Sequence, residues 1–244
     1  FDPATFRDRN FTIGITLALI MGMLQFTPMI LCPPLLQDLR GYPDSIVGYL
    51  ISARGMGNFL SFFIVVQFTR FNARLCLFTG LALQSVAGLW MSSLDINMTT
   101  ADVFWTNILH GIGFGTAYTP MAVLAFSTLP MHLLTQGNAI FSLCRLLGSS
   151  IFIALTLVVF FRTSAEATVN LSAMIDAFDM RNLSLWITIL GEPGTPPLHA
   201  RLLEEVRHQA SMIGYINAFH LLTLASALAA PLAFLFVIRK GAEA

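Results

Sequence analysis

The stretch "AIFSLCRLLGSSIFIALTLVVFF", residues 139–161, contains one charged side chain, Arg145, among residues that are otherwise apolar or small. At about 1.5 Å of rise per residue the run is long enough to cross the roughly 30 Å hydrocarbon core of a bilayer. It shows no polar stripe of the kind that a helix on the surface of a soluble domain presents to water. The whole chain agrees with this reading: its 244 residues are 56% hydrophobic and 11% charged, with a mean hydropathy of +0.74. That is too apolar for a soluble domain of this size.

Working outward from residues 139–161, comparable runs fall at residues 11–36, 46–68, 75–94, 103–126 and 213–238. The predicted fold class is therefore an all-α membrane protein, a bundle of six transmembrane helices. The connections "DLRGYPDS", "TRFNAR", "LDINMTTAD" and "LPMHLLTQGN" are short and carry helix-ending residues, so consecutive spans are antiparallel neighbours. No stretch shows the alternation that an outer-membrane barrel strand requires. Residues 1–10, "FDPATFRDRN", lack the apolar core of a signal peptide.

Lys and Arg set the expected orientation. Arg7, Arg9, Arg70, Arg74, Arg239 and Lys240 lie on one side, against Arg40 in the short loops of the other, which predicts cytoplasmic ends for this segment. Residues 162–212 then form one long extracytoplasmic connection. Leu171, Met174, Ile175 and Phe178, and again Leu198, Leu202, Leu203 and Val206, recur at helical spacing on either side of "GEPGTPP". Two short amphipathic helices are expected there, either lying at the bundle mouth or serving as a docking surface.

Several functions are excluded by what the residues do not form. A formal net charge of zero offers no basic surface for nucleic acid. Cys32, Cys76 and Cys144 have no metal-ligand spacing, and no nucleophile, zinc or phosphate-loop motif is present, so no catalytic residue, metal or cofactor is expected. In "HGIGFG", Gly111 and Gly115 make a small-residue face for close helix packing, and Pro120 adds a kink.

The informative residues are the ionisable ones within spans. All thirteen acidic residues lie in loops, at span ends or in the tails. Arg54 and His110 lie roughly 12 Å from the nearest loop and Arg145 roughly 10 Å. A central arginine costs about 2.5–3.5 kcal/mol on insertion scales, so neither arginine is expected to face lipid. Each either donates to backbone carbonyls and pins helices together, or lines a wet cavity and sets its charge. His110 is either a hydrogen-bonded core imidazole or a proton carrier, and His220 an interfacial residue. Arg54, His110, Arg145 and Gln25 are the candidate cavity residues.

In chain order, "FRDRNFTIG", "PPLLQDLRGYPDSIVGYLISARGMGN", "HGIGFGTAYTPMAVLAFSTLP", "GNAIFSLCRLLGSSI" and "QASMIGYINAF" resemble the C-terminal half of EmrB/QacA-type drug:proton antiporters. These form the fourteen-helix branch of the major facilitator superfamily. Arg145 matches the arginine of the family's "LxRxLGxSIG"-like pattern, and Arg54 that of "PRG". Gly111, Gly113, Gly115 and Pro120 match its glycine-rich helix, and Gly55, Gly57 and Gly148 join them as packing residues. Ala53 stands in place of proline and Asn217 in place of a frequent acidic residue, and "QFTRFNAR" lacks the usual loop glycine. The resemblance implies half of a proton-coupled exporter of amphipathic drugs in a bacterial inner membrane, working by alternating access against a missing N-terminal half. The first, second, fourth and fifth helices would line the cavity, and the coupling carboxylate would lie in the other half. A periplasmic membrane-fusion adaptor is the partner implied for the long loop. Exporters of metabolites or siderophores fit the same fold, and a non-transporting membrane scaffold is the alternative outside transport.

Overall fold

A computed structural model describes the backbone of residues 3–190 and 198–237, and the side chains of residues 5–69, 72–173 and 203–237. The chain is built of helices: α1 Arg9–Asp38, α2 Asp44–Thr69, α3 Asn72–Ser92, α4 Thr100–Phe126, α5 Leu134–Leu190 and α6 Leu198–Ala229, the last running into a 3-10 turn at Ala230–Leu235. All six include a stretch long and apolar enough to cross a membrane, and the protein is a multi-pass membrane protein.

Local chemistry sets the helix ends. Asp8 caps α1 by accepting from the Phe11 amide at 2.8 Å, and Thr99 and Asp102 form a reciprocal capping box on α4. Gly41 turns the chain after α1 with a φ of +63°, a conformation that a β-carbon would strain. Between α2 and α3 no glycine is needed. Asn72 takes an extended conformation (φ −162°, ψ 104°), and its Oδ1 accepts from the amides of Arg74 at 3.1 Å and Leu75 at 3.4 Å, starting the new helix.

Helix α5 does not stop near Phe161, where the loop was expected to begin. It runs on to Leu190, because no glycine or proline follows Gly148 before that point and the Arg162–Glu166 pair, 3.1 Å apart, supports the helical turn. In place of two separate helices, the connection is helical from both sides, as extensions of α5 and α6. The "GEPGTPP" break, and most side chains of the two amphipathic runs, lie outside the described residues.

The main core cluster joins α1, α3, α4 and α6 through Leu17, Met21, Leu81, Phe114, Met121 and Leu222. A second cluster, which includes Leu35, Leu50, Met91 and Phe219, fills the opposite end of the bundle. Helices α2 and α5 are the least buried and display large apolar side chains such as Phe59, Phe62, Leu147 and Ile151. At the end bearing the termini, Asn10 acts as a surrogate backbone group. Its Nδ2 donates to the Val237 carbonyl at 2.7 Å and its Oδ1 accepts from the Val237 amide at 2.8 Å, tying α1 to the end of α6.

Candidate functional site

Two helix crossings create the site. Where α1 meets α5, a β-carbon on Gly22 would run into the Arg145 carbonyl and come within 2.9 Å of the Ser149 amide nitrogen; one on Gly148 would run into the Leu19 carbonyl. Where α4 meets α2, a β-carbon on Gly111 would run into the Arg54 carbonyl and come within 2.9 Å of the Asn58 nitrogen; one on Gly57 would run into the Ile108 carbonyl. The two contact patterns match position for position. Leu19-x-x-Gly22 corresponds to Ile108-x-x-Gly111, and Arg145-x-x-Gly148-Ser149 to Arg54-x-x-Gly57-Asn58. Helices α1–α3 and α4–α6 thus carry the same contact motif, as inverted repeats do in secondary transporters. In each crossing the absence of side chains lets backbones touch, which suits an environment where packing has to hold helices together.

The other glycines divide. A β-carbon on Gly115 would meet Asn58 and Ser61 of α2, and one on Gly113 would come within 2.9 Å of the Gln84 nitrogen on α3. A β-carbon on Gly55 would meet nothing within 4 Å, so Gly55 is not a packing residue. It lies one residue past Arg54 on the exposed face of α2 and is turned away from α4. Pro120 cannot donate to the Thr116 carbonyl, and the Cys76 thiol of α3 lies 3.6 Å from that oxygen and supplies the donor.

The crossings leave both arginine side chains directed toward α1, where they meet at Gln25. The Arg54 guanidinium donates to the backbone carbonyls of Gln25 and, at 3.4 Å, Leu24. Leu24 is four residues before Pro28, whose missing N–H leaves that carbonyl without its helical donor. Arg54 thus fills a gap that a proline opened, rather than one opened by the glycines. Arg145 donates from Nη1 to the Gln25 side-chain Oε1 at 2.9 Å, and its Cζ sits 6.0 Å from the ring centre of Tyr118 on α4. His110 is fully buried, within electrostatic reach of Arg54 and the Leu24 carbonyl, and neither ring nitrogen has a hydrogen bond of normal geometry. His220 is exposed on α6.

Removing the Arg54 donor should leave the Leu24 carbonyl with only the His110 ring near it and cost about 1–3 kcal/mol. Arg54→Met should therefore lower the unfolding midpoint, and Pro28→Ala in the same chain, by restoring an N–H to Leu24, should recover part of the loss. Additive effects in this double-mutant cycle would show that Arg54 does not serve the proline gap.

Sequence reasoning did not single out Tyr118 or Gln84. Tyr118 is half-buried and stacked on Phe114 with centroids 5.6 Å apart and planes 15° apart. Gln84 is fully buried with both amide atoms unpaired. A polar residue within the apolar "LALQSVAG" run was the available signal for Gln84. Where α5 and α6 leave the core, Asn217 of α6 lines an open groove of about 300 Å³ with Thr163, Glu166 and Asn170 of α5.

No protein-family profile matches the chain. Among characterised proteins, it is 28% identical over 156 residues to the colistin resistance protein EmrB of Acinetobacter baumannii, covering 63% of this chain and 30% of that protein. It is 22% identical over 224 residues to the multidrug export protein EmrB of Haemophilus influenzae, covering 90% of this chain and 44% of the relative. It is also 22% identical over 147 residues to the fatty acid resistance protein FarB of Neisseria gonorrhoeae, covering 60% of this chain and 29% of that protein. The chain therefore spans less than half the length of these relatives, and those named as multidrug export proteins are transporters and not enzymes. With six long apolar helices among its described residues, the chain is a distant homologue of part of the EmrB-type exporters of the major facilitator superfamily.

Proposed function

We propose that the chain forms one six-helix half of a proton-coupled exporter of amphipathic compounds. The observation that carries this reading is the meeting of Arg54 and Arg145, from the two least buried helices, at Gln25 of α1. Charged side chains held within spans cost several kcal/mol unless water or partners are near; Arg54 finds main-chain partners, whereas Arg145, half-buried with Nε unpaired, supports a groove beside it. The second bundle of the transporter closes over the α2 and α5 side, and the two halves rock about the groove to expose it alternately. Within the described spans the carboxylates lie at helix ends, at Asp38, Asp44 and Asp102, or on the extensions of α5 and α6, at Glu166, Glu204 and Glu205. The proton-coupling carboxylate therefore lies in the rest of the transporter, with His110, buried near Arg54, as an imidazole that this half offers within its described spans. Arg7, Arg9 and Arg74 support a cytoplasmic side for the ends of this segment in a bacterial inner membrane. A periplasmic adaptor would engage the α5–α6 connection.

The test is the whole transporter in proteoliposomes, with an imposed proton gradient and a panel of amphipathic dyes of either charge. Gradient-driven dye movement that collapses with an uncoupler is the expected result. No movement of any dye in either direction would favour the scaffold reading. Orientation is checked separately: single cysteines at Arg74 and Glu166 should react with an impermeant thiol reagent from opposite sides.

A further inference from the structure

Around Arg145 the bundle gathers donors without an acceptor to match them. A guanidinium only donates, so its bond to Gln25 fixes the amide assignment: Oε1 is the atom at Arg145, and the NH2 group is left to donate elsewhere. That NH2 group has no partner among the described residues, and neither has the Tyr118 hydroxyl. Arg145 Nε is buried and unpaired. Arg54 stands in the equivalent position of the other crossing, yet two backbone carbonyls take its donors. The symmetry is broken on one side only, and on that side the donors are left over.

We propose that Arg145, the Gln25 amide and the Tyr118 hydroxyl form a subsite for a single oxyanion, a carboxylate or sulfonate, carried by the exported compound. An anion bound there meets a planar guanidinium edge plus two neutral donors, a set that favours trigonal or tetrahedral oxyanions and repels cations. The compound's apolar body lies beside Leu146 and the Tyr118–Phe114 pair. Tyr118 serves in specificity twice: its ring supports the guanidinium and its hydroxyl donates to the ligand. Neutral and cationic amphiphiles leave the buried Arg145 Nε unpaired and bind less well.

This inference rests on the exporter reading, and one experiment separates the two. The full-length transporter in nanodiscs is titrated with 2-naphthoate and with (2-naphthylmethyl)trimethylammonium. The wild-type protein should bind the naphthoate at least about tenfold more tightly. Gln25→Glu supplies Arg145 with a carboxylate of its own and should weaken naphthoate binding by about tenfold or more while leaving the cation equal or stronger. Tyr118→Phe keeps the ring and should weaken naphthoate about threefold to tenfold without moving the unfolding midpoint. Equal affinities for the two probes, or naphthoate binding that neither substitution changes, would overturn the subsite. If the oxyanion belongs instead to an acidic side chain elsewhere in the transporter, Gln25→Glu lowers stability and leaves naphthoate binding alone, which also overturns it. Gradient-driven transport of cationic dyes without naphthoate binding would sink the subsite and leave the exporter standing. Naphthoate binding without any driven transport would do the reverse.

Discussion

Gly22→Val and Gly111→Val should each prevent the bundle from closing, whereas Gly55→Val should pass almost unnoticed. At Gly22 and Gly111 the atom in the way is a backbone carbonyl of the facing helix, which cannot rotate aside as a side chain can. The helices must separate, losing contact along the whole crossing. Overpacking of this kind costs typically about 1–3 kcal/mol, and a rigid backbone obstacle puts these sites at or beyond the upper end. Because the two crossings repeat the same contacts, the two losses should be similar. Gly55 has open space around it, so valine there should shift stability by no more than about 0.5 kcal/mol. The measurement is the thermal unfolding midpoint and monodisperse yield of the three variants in the full transporter. Equal tolerance at all three positions would mean that the close crossings are not what holds the helices.

Arg145→Lys should reduce export by about 10- to 100-fold, equivalent to about 1.4–2.7 kcal/mol of lost stabilisation, with the unfolding midpoint nearly unchanged. Lysine keeps the positive charge but loses the planar fork and cannot both reach Gln25 Oε1 and lie over the Tyr118 ring. Arg54→Lys should behave differently. Its partners are main-chain carbonyls, so its substitution should appear first in stability and only secondarily in transport. Proteoliposome transport rates set beside unfolding midpoints separate the two arginines; a parallel loss of both quantities at Arg145 would make it a structural staple like Arg54.

The helices were legible because bilayer-spanning length and apolarity are properties of composition alone. The cost of a buried charge likewise pointed to Arg54, Arg145 and His110 without any knowledge of contacts. What could not be read was which glycines touch. Gly55 and Gly57 are near neighbours in "RGMGN", yet only Gly57 lies against α4, since two residues turn a helix by more than half a circle. The Arg-x-x-Gly-small motif was present twice in the sequence, facing two aliphatic-x-x-Gly motifs. Its meaning depends on α1 pairing with α5, and α2 with α4, which are not neighbours in the chain. The division of labour between the arginines was hidden for a similar reason. Pro28 empties a carbonyl on α1 that Arg54 reaches from α2, and Gln25 turns its side chain to Arg145. The length of α5 was underestimated because Arg162 looked like a membrane boundary, although a membrane boundary does not end a helix.

The central claim is that the face shared by α1, α2, α4 and α5 is a groove open to water from alternate sides. Ser142, three residues before Arg145 and half-buried on the same side of α5, is the position to probe. In the full transporter, with Cys32 and Cys144 changed to alanine and Cys76 to serine, Ser142→Cys is exposed to an impermeant thiol reagent from each side, with and without a proton gradient. Leu228→Cys, on the exposed surface of α6, serves as the lipid-facing control. The account predicts that Ser142→Cys reacts, that the reactive side changes with the gradient, and that Leu228→Cys stays unlabelled. Failure of Ser142→Cys to react from either side under any condition would mean that Arg145 lies in a dry seam, and the groove does not exist.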